Sequence, residues 1–465
     1  MSSKTTSLKK TNKNFIFLLL ILAIFFPFLN LSPLNLFIFS LFYIIFIIIF
    51  LNHKLGLFLL IIIRPFTEII TNFEIFKIKE SSVNFSYIIG IITIIFGVLV
   101  ISSNFEKIKK APLLKILISF IILIFISIFY SFDKNASLIE FFRMTSLFLL
   151  YLSAFTLIKN KKDLLYLFIA IILSGFVPSI FGYFQYFTNS GFYIPFEGVT
   201  NRVYGTFTHP NLLAYYLIFP IAIALSTFSL LLKKDFIKNI LEIKSQKILK
   251  VFLILFLVIL ILPFIFTFAR GAWMVLFMVI FLFGFFNKEK SKRISFILIF
   301  TILSLSLFYI SGSVRERIYN ISTQYNSINW RLDHWEKTLK YTQQKPLMGH
   351  GAGTAEIFIL DKSFDAYEEE AAIHNDYIKI ATENGIIGLM IYLAIIFLIF
   401  YNLFNIFRKL KLPEDKMIIS LIIFLSLAVF LSSFYDNILK NTALQWIYWI
   451  LLGSVFFLYQ KQLEK

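Results

Sequence analysis

The chain has 465 residues, of which 59% are hydrophobic, 60 are Phe and only 15% are charged, with a mean hydropathy of +0.83. A soluble domain of this length carries far more charge, so the composition is that of an integral membrane protein. The formal charge of +18 is no nucleic-acid signal, because the lysines sit in short loops between apolar runs, and zero cysteines exclude disulfides, covalent haem attachment and thiolate metal sites.

A helix needs about 20 apolar residues to cross the hydrocarbon core. Open strands leave backbone groups unsatisfied there, and barrel strands alternate in a way these runs do not. The expected fold is therefore all-α and polytopic. In chain order, spans are expected near 15–30, 34–51, 55–70, 83–102, 112–131, 138–158, 163–187, 211–232, 250–268, 271–286, 294–310, 385–407, 416–433 and 442–459. That makes about fourteen. The run at 55–70 is broken by Arg64, Pro65 and Glu68 and reads equally as a re-entrant piece.

Alternating sides puts the basic residues into one register. Lys54, Lys107 to Lys110, Lys159 to Lys162, Lys233 to Lys250, Lys288 to Arg293, Arg408 to Lys416 and Lys461 to Lys465 all fall on the side expected to be cytoplasmic, with both termini. Two longer segments, 188–210 and 311–384, fall outside. The expected organisation is a bundle over 1–310, a large extracytoplasmic loop over 311–384, and a final group of spans over 385–465. Within the loop, Trp330 to Tyr341 has helical spacing, and a Gly-rich turn runs from Pro346 to Gly353.

The candidate functional residues lie on that outer side. Arg202, in NRVYGTFTHPNLLAYY, stands among Asn201, Thr208, His209 and Asn211 just before a span; it is a ligand for an anion or part of a loop-to-helix entry. Arg270 joins two apolar runs with almost no loop, where an arginine is costly and its planar fork suits a phosphate, snorkelling to headgroups being the alternative. Arg331 and Trp335 share a helix face, either as a stacked surface pair or as a pyrophosphate contact beside a packing surface.

His334 and His350 are further imidazoles, the second inside a Gly run that is an anion nest or a plain turn. Glu368-Glu369-Glu370 reads better as a solvated loop than as a cation site. Glu140 and Arg143 are expected to pair, and Asp436 is left open. His374 is the best general-base candidate, followed by Asn375 and Asp376, which can cap a helix running to Glu383 before Gly385 hands over to the next span.

Together these residues resemble the bacterial O-antigen ligase and O-antigen polymerase family of polytopic glycosyltransferases. The segment HNDYIKIATENGIIG carries the family's His-Asn, nine residues, Gly-x-x-Gly pattern at His374, Asn375, Gly385 and Gly388. The Ala-Arg-Gly step at Arg270, Arg331-x3-Trp335, Pro346-Leu-x-Gly-x-Gly351 and Arg202-x2-Gly-Thr-Phe-x2-Pro-Asn211 are also similar. Leu389 departs from the small or hydroxylic residue of some ligases. The resemblance implies a GT-C-like membrane fold with about twelve spans, hence 12–14 here. It implies a donor oligosaccharide on a polyprenyl pyrophosphate, and a glycan, lipid-core or protein acceptor. It also implies residence in the bacterial inner membrane and an inverting transfer without metal or other cofactor. In that reading Arg270 and Arg331 hold the pyrophosphate, His374 engages the acceptor hydroxyl, and Arg202, Trp335 and Asn375 complete the binding site. The competing class is a lipid-linked oligosaccharide flippase, which predicts ionisable residues at the bundle midplane and short outer loops.

Overall fold

In a computed structural model, residues 47–70, 74–78, 81–194, 199–231, 243–285, 327–360 and 373–463 are described. They are almost wholly helical. In chain order come α1 (His53–Thr67), the hairpin β1 (Glu74–Ile78) and β2 (Ser81–Asn84), α2 (Phe85–Ser102), α3 (Phe105–Ile108), α4 (Leu114–Tyr130) and α5 (Lys134–Leu157). There follow α6 (Lys161–Ser174), α7 (Phe176–Thr188), the hairpin β3 (Phe192–Ile194) and β4 (Val199–Arg202), α8 (Pro210–Leu231), α9 (Ile243–Phe266) and α10 (Arg270–Phe285). The remainder is α11 (Ser327–Thr342), α12 (Ala355–Leu360), α13 (Asp376–Lys409), α14 (Pro413–Ser432) and α15 (Thr442–Leu463).

Among the described residues, seven helical stretches are long and apolar enough to cross a bilayer, and three shorter apolar helices accompany them. The chain is an all-α polytopic membrane protein. The expected spans at 15–30 and 294–310, most of 34–51, and the Glu368 to Glu370 run lie outside the described residues. The expected single span at 163–187 is built as two helices, α6 and α7, within one crossing from Lys161 to Thr188. The doubtful run at 55–70 forms α1, only 15 residues long, or about 22 Å at the helical rise. Its last turn holds buried Arg64, which pairs with Glu68 at 2.9 Å and lies over the Trp446 ring.

Helices α8, α14 and α15 are buried nearly all round, whereas α9 and α13 leave apolar faces such as Ile254, Val258, Met390 and Phe397 exposed for lipid. Four buried hydroxyls inside the spans return to their own helix. Ser153 donates to the carbonyl of Leu149, Thr227 to Ile223, Ser426 to Ile422 and Ser454 to Ile450, so each is satisfied without a second polar partner.

The two ends of the bundle differ in chemistry. At one end Lys54 pairs with Asp163 at 2.8 Å, Lys161 pairs with Asp415 at 2.6 Å, and Gln462 donates to the same Asp415. These residues belong to the lysine-rich register of the sequence. The other end carries the turns 131–133, 202–210, 267–269 and 433–441 together with the start of α13.

There the loop Pro346 to Gly353 is fastened to the α4–α5 corner. Tyr130 donates to Met348 O, Phe132 N to His350 O, and Ser137 Oγ to Ala352 O. The loop also cradles an interruption in α13 at Gly385, where φ is 64° and ψ is −168°. Only glycine adopts that conformation readily. The N–H of Ile386, freed by the break, donates to Pro346 O at 2.8 Å.

Candidate active site

His374 sits at the mouth of α13 in a left-handed conformation, φ 51°. Asn375 follows as the N-cap, its side-chain oxygen accepting from Tyr377 N and Ile378 N. The residue before, Ile373, is held by the indole N–H of Trp335, which donates to its carbonyl at 2.8 Å. The histidine is therefore clamped from both sides. Trp335 and Asn375, expected from the sequence to meet substrate, spend these polar groups on that backbone.

The imidazole Nδ1 lies 3.2 Å from Oδ1 of Asp436, in the turn between α14 and α15. Asp436 also accepts from Asn437 N, and its Oδ2 accepts from the Asn211 amide at 3.0 Å. The Asn211 side-chain oxygen in turn accepts from Arg202 at 2.9 Å, and Arg202 Nε donates to Thr267 O at 2.9 Å. A chain of hydrogen bonds thus runs from His374 through Asp436, Asn211 and Arg202 to the turn that begins α10. Arg270 is the first residue of α10. Arg202 is only 2% exposed, which makes it a strut of the site more than an open anion ligand.

Arg331 enters from α11, with a buried Nε that has no hydrogen-bond partner in the structure. Its charge acts on Asp436, His209, Tyr215 and Tyr435. Tyr435 donates to the carbonyl of Gly271, tying the Asp436 turn to the residue after Arg270. Burial by itself would raise the Asp436 carboxyl; the hydrogen bond and charge of His374, then Arg331, outweigh it and hold the group well below the usual carboxylate range. Burial, reinforced by the Arg202 charge, pushes His209 down to about 3. His209 is therefore neutral, and its Nδ1 accepts from Asn211 N at the start of α8.

The other candidates have structural partners. His350 Nε2 lies 2.9 Å from Tyr341 O. Successive N–H groups of the Gly-rich loop are taken by protein acceptors: Gly349 by Lys345 O, His350 by Thr382 O, Gly351 by Glu383 O and Ala352 by the Ser127 hydroxyl. Of the two readings of that loop the turn holds, and it has no anion nest. Glu140 and Arg143 pair as expected. Asp436, Tyr215 and Tyr435 carry no motif that names them, whereas Asn211 closes the Arg202 motif; a lone acid at the end of a late span is the only sequence signal for Asp436.

The fold and the site define a polytopic helical membrane protein with a buried His–Asp pair and arginines gathered at one end of the bundle. Residues 255–393 match the family described as O-antigen ligase, so that segment of the chain is similar to this family. The matched segment contains Arg270, Arg331, Trp335 and His374 and leaves out Arg202 and Asp436. No curated protein matches the chain.

Proposed function

We propose that this protein, an O-antigen ligase/polymerase-type membrane glycosyltransferase, moves a glycan from a polyprenyl-pyrophosphate carrier to an acceptor hydroxyl on the extracytoplasmic side of the bacterial inner membrane. The observation that carries the reading is the buried His374–Asp436 pair, with the Arg331 charge acting on Asp436 and its buried Nε unpartnered. With Nδ1–H donated to Asp436, His374 presents the Nε2 lone pair as base. The acceptor oxygen attacks the anomeric carbon and gives its proton to Nε2. The bond from that carbon to the phosphate oxygen breaks with inversion, and the electron pair leaves on the carrier pyrophosphate. Arg331 and Arg270 meet the charge that develops there, and their low-dielectric surroundings strengthen the interaction. Arg202 holds Asn211 and through it Asp436, while Trp335 and Asn375 hold the backbone on either side of His374.

The test uses purified protein in detergent or lipid. His374→Ala is expected to bind the lipid-linked donor normally and to lose transfer by a factor of about 10² or more, whereas Arg270→Ala is expected to lose both. Full transfer by His374→Ala would remove His374 as base. Deletion in the native cell separates the acceptors: loss of all surface polymer for a ligase, short chains only for a polymerase, unmodified protein for a protein glycosyltransferase.

A further inference from the structure

His374 and Asp436 stand 62 residues apart on separate elements, and nothing in their own pairing holds the two backbones in register. A second carboxylate does. Asp376, two residues beyond His374, is 0% exposed. Its N–H donates to Ser433 O at 2.8 Å, and its Oδ2 accepts from Ser433 Oγ at 2.8 Å and from Leu439 N at 2.9 Å. Asp436 lies between those two anchor points. From the far side Arg143, forked by Glu140, donates to the carbonyl of Leu439.

An acid in the first turn of a helix ordinarily serves the helix dipole. That role needs neither full burial nor bonds to another element, and Asn375 already caps this helix. Burying a second carboxylate close to Asp436 costs electrostatic energy, so its bonds to the turn need a function that offsets the cost.

We propose that Asp376 is a positioning residue: it bolts the 433–439 turn to the start of α13 and thereby sets the distance and angle between Asp436 and His374. The proposal rests on the reading of His374–Asp436 as the acid–base pair. It assigns Asp376 the anchoring role alone: Oδ2 accepts from two donors, Oδ1 is buried with no hydrogen-bond partner in the structure, and the amide oxygen of an asparagine could accept the same two bonds.

The experiment is a double-mutant cycle on the purified full-length protein, with turnover and affinity for the lipid-linked donor measured separately. Asp376→Ala is expected to lower turnover at least about tenfold with donor affinity held within about twofold. The pH–rate profile should move in the same direction as in Asp436→Asn. Because Asp376 acts through Asp436, the double variant Asp376→Ala/Asp436→Asn should be no slower than Asp436→Asn alone. Asp376→Asn should recover most of the activity. Ser433→Ala, which removes one anchor bond and little volume, should give a smaller loss with the same non-additivity, and it carries the test if Asp376→Ala does not fold.

Three results overturn the proposal: wild-type turnover in Asp376→Ala or, if that variant is unfolded, in Ser433→Ala; losses that multiply in the double variant; or Asp376→Asn as inactive as His374→Ala, which makes Asp376 a proton carrier. An active His374→Ala removes the acid–base pair itself and is read independently of these.

Discussion

His209 shows how one residue can be ordinary in the sequence and constrained in the fold. Beside a proline it reads as a turn residue, yet tertiary packing buries it beside Arg202, and burial, reinforced by that charge, drives its pKa from 6.5 to about 3. The unfolded chain therefore binds a proton at His209 below pH 6.5 that the folded chain refuses. Stability from this group is complete above about 6.5 and is lost as pH falls toward about 3. Asp436, also held below its ordinary value, adds a loss that begins near 3.8. Between pH 6.5 and 4 the Tm of the parent protein in detergent should fall relative to that of His209→Gln, because only the parent carries this group. An unchanged slope in the variant would assign the acid sensitivity to other groups.

The element that matters most is the interrupted helix α13. Its first part, from Asp376 to Asn384, carries the contacts of the site, and its second part is the membrane span. Gly385 separates them, and the Pro346 to Gly353 loop receives the break. A Cβ at Gly385 would lie 2.1 Å from Leu347 O on top of the strained φ of 64°. Gly385→Ala is expected to destabilise the protein by about 3 kcal/mol or more, read as a drop in Tm and in the yield of folded protein. A variant as stable as the parent would mean that the loop and kink are not packed against each other. The first glycine of the Gly-x-x-Gly pattern thus has a mechanical reason that is independent of substrate: the backbone must turn there and another backbone must come within contact.

For the whole molecule, the charge pattern and the site occupy opposite ends. Lys54, Lys161, Asp163 and Asp415 interlock at one end, while His374, Asp436, Asn211 and Arg202 interlock at the other. By the positive-inside rule the lysine-rich end is expected to face the cytoplasm. Because the chain contains no cysteine, single cysteines report accessibility without background. Exposed Lys440→Cys should react with a membrane-impermeant maleimide in cells whose outer membrane alone is permeable. Exposed Lys411→Cys should react only after the inner membrane is opened. The reverse pattern would invert the topology and move the proposed site to the cytoplasmic face.

Much of this protein is decided locally and is therefore legible in the sequence. Apolar runs long enough to span lipid determine an all-α polytopic fold, since no other backbone arrangement satisfies its own hydrogen bonds there. Lysine placement separates the two ends, and Asn375 before a helix and Gly385 inside it mark a cap and a break through local backbone chemistry. What the sequence could not supply is partnership at long range. Asp436 is one acid among 26 Asp and Glu until the fold brings it to His374. Arg202 reads as an anion ligand until burial turns it into a strut, and Trp335 reads as a substrate platform until its indole is found holding Ile373. Hydrogen bonds between residues tens to hundreds of positions apart depend on how the helices pack. Only the tertiary structure decides which polar side chains end as partners inside the bundle and which face the substrate.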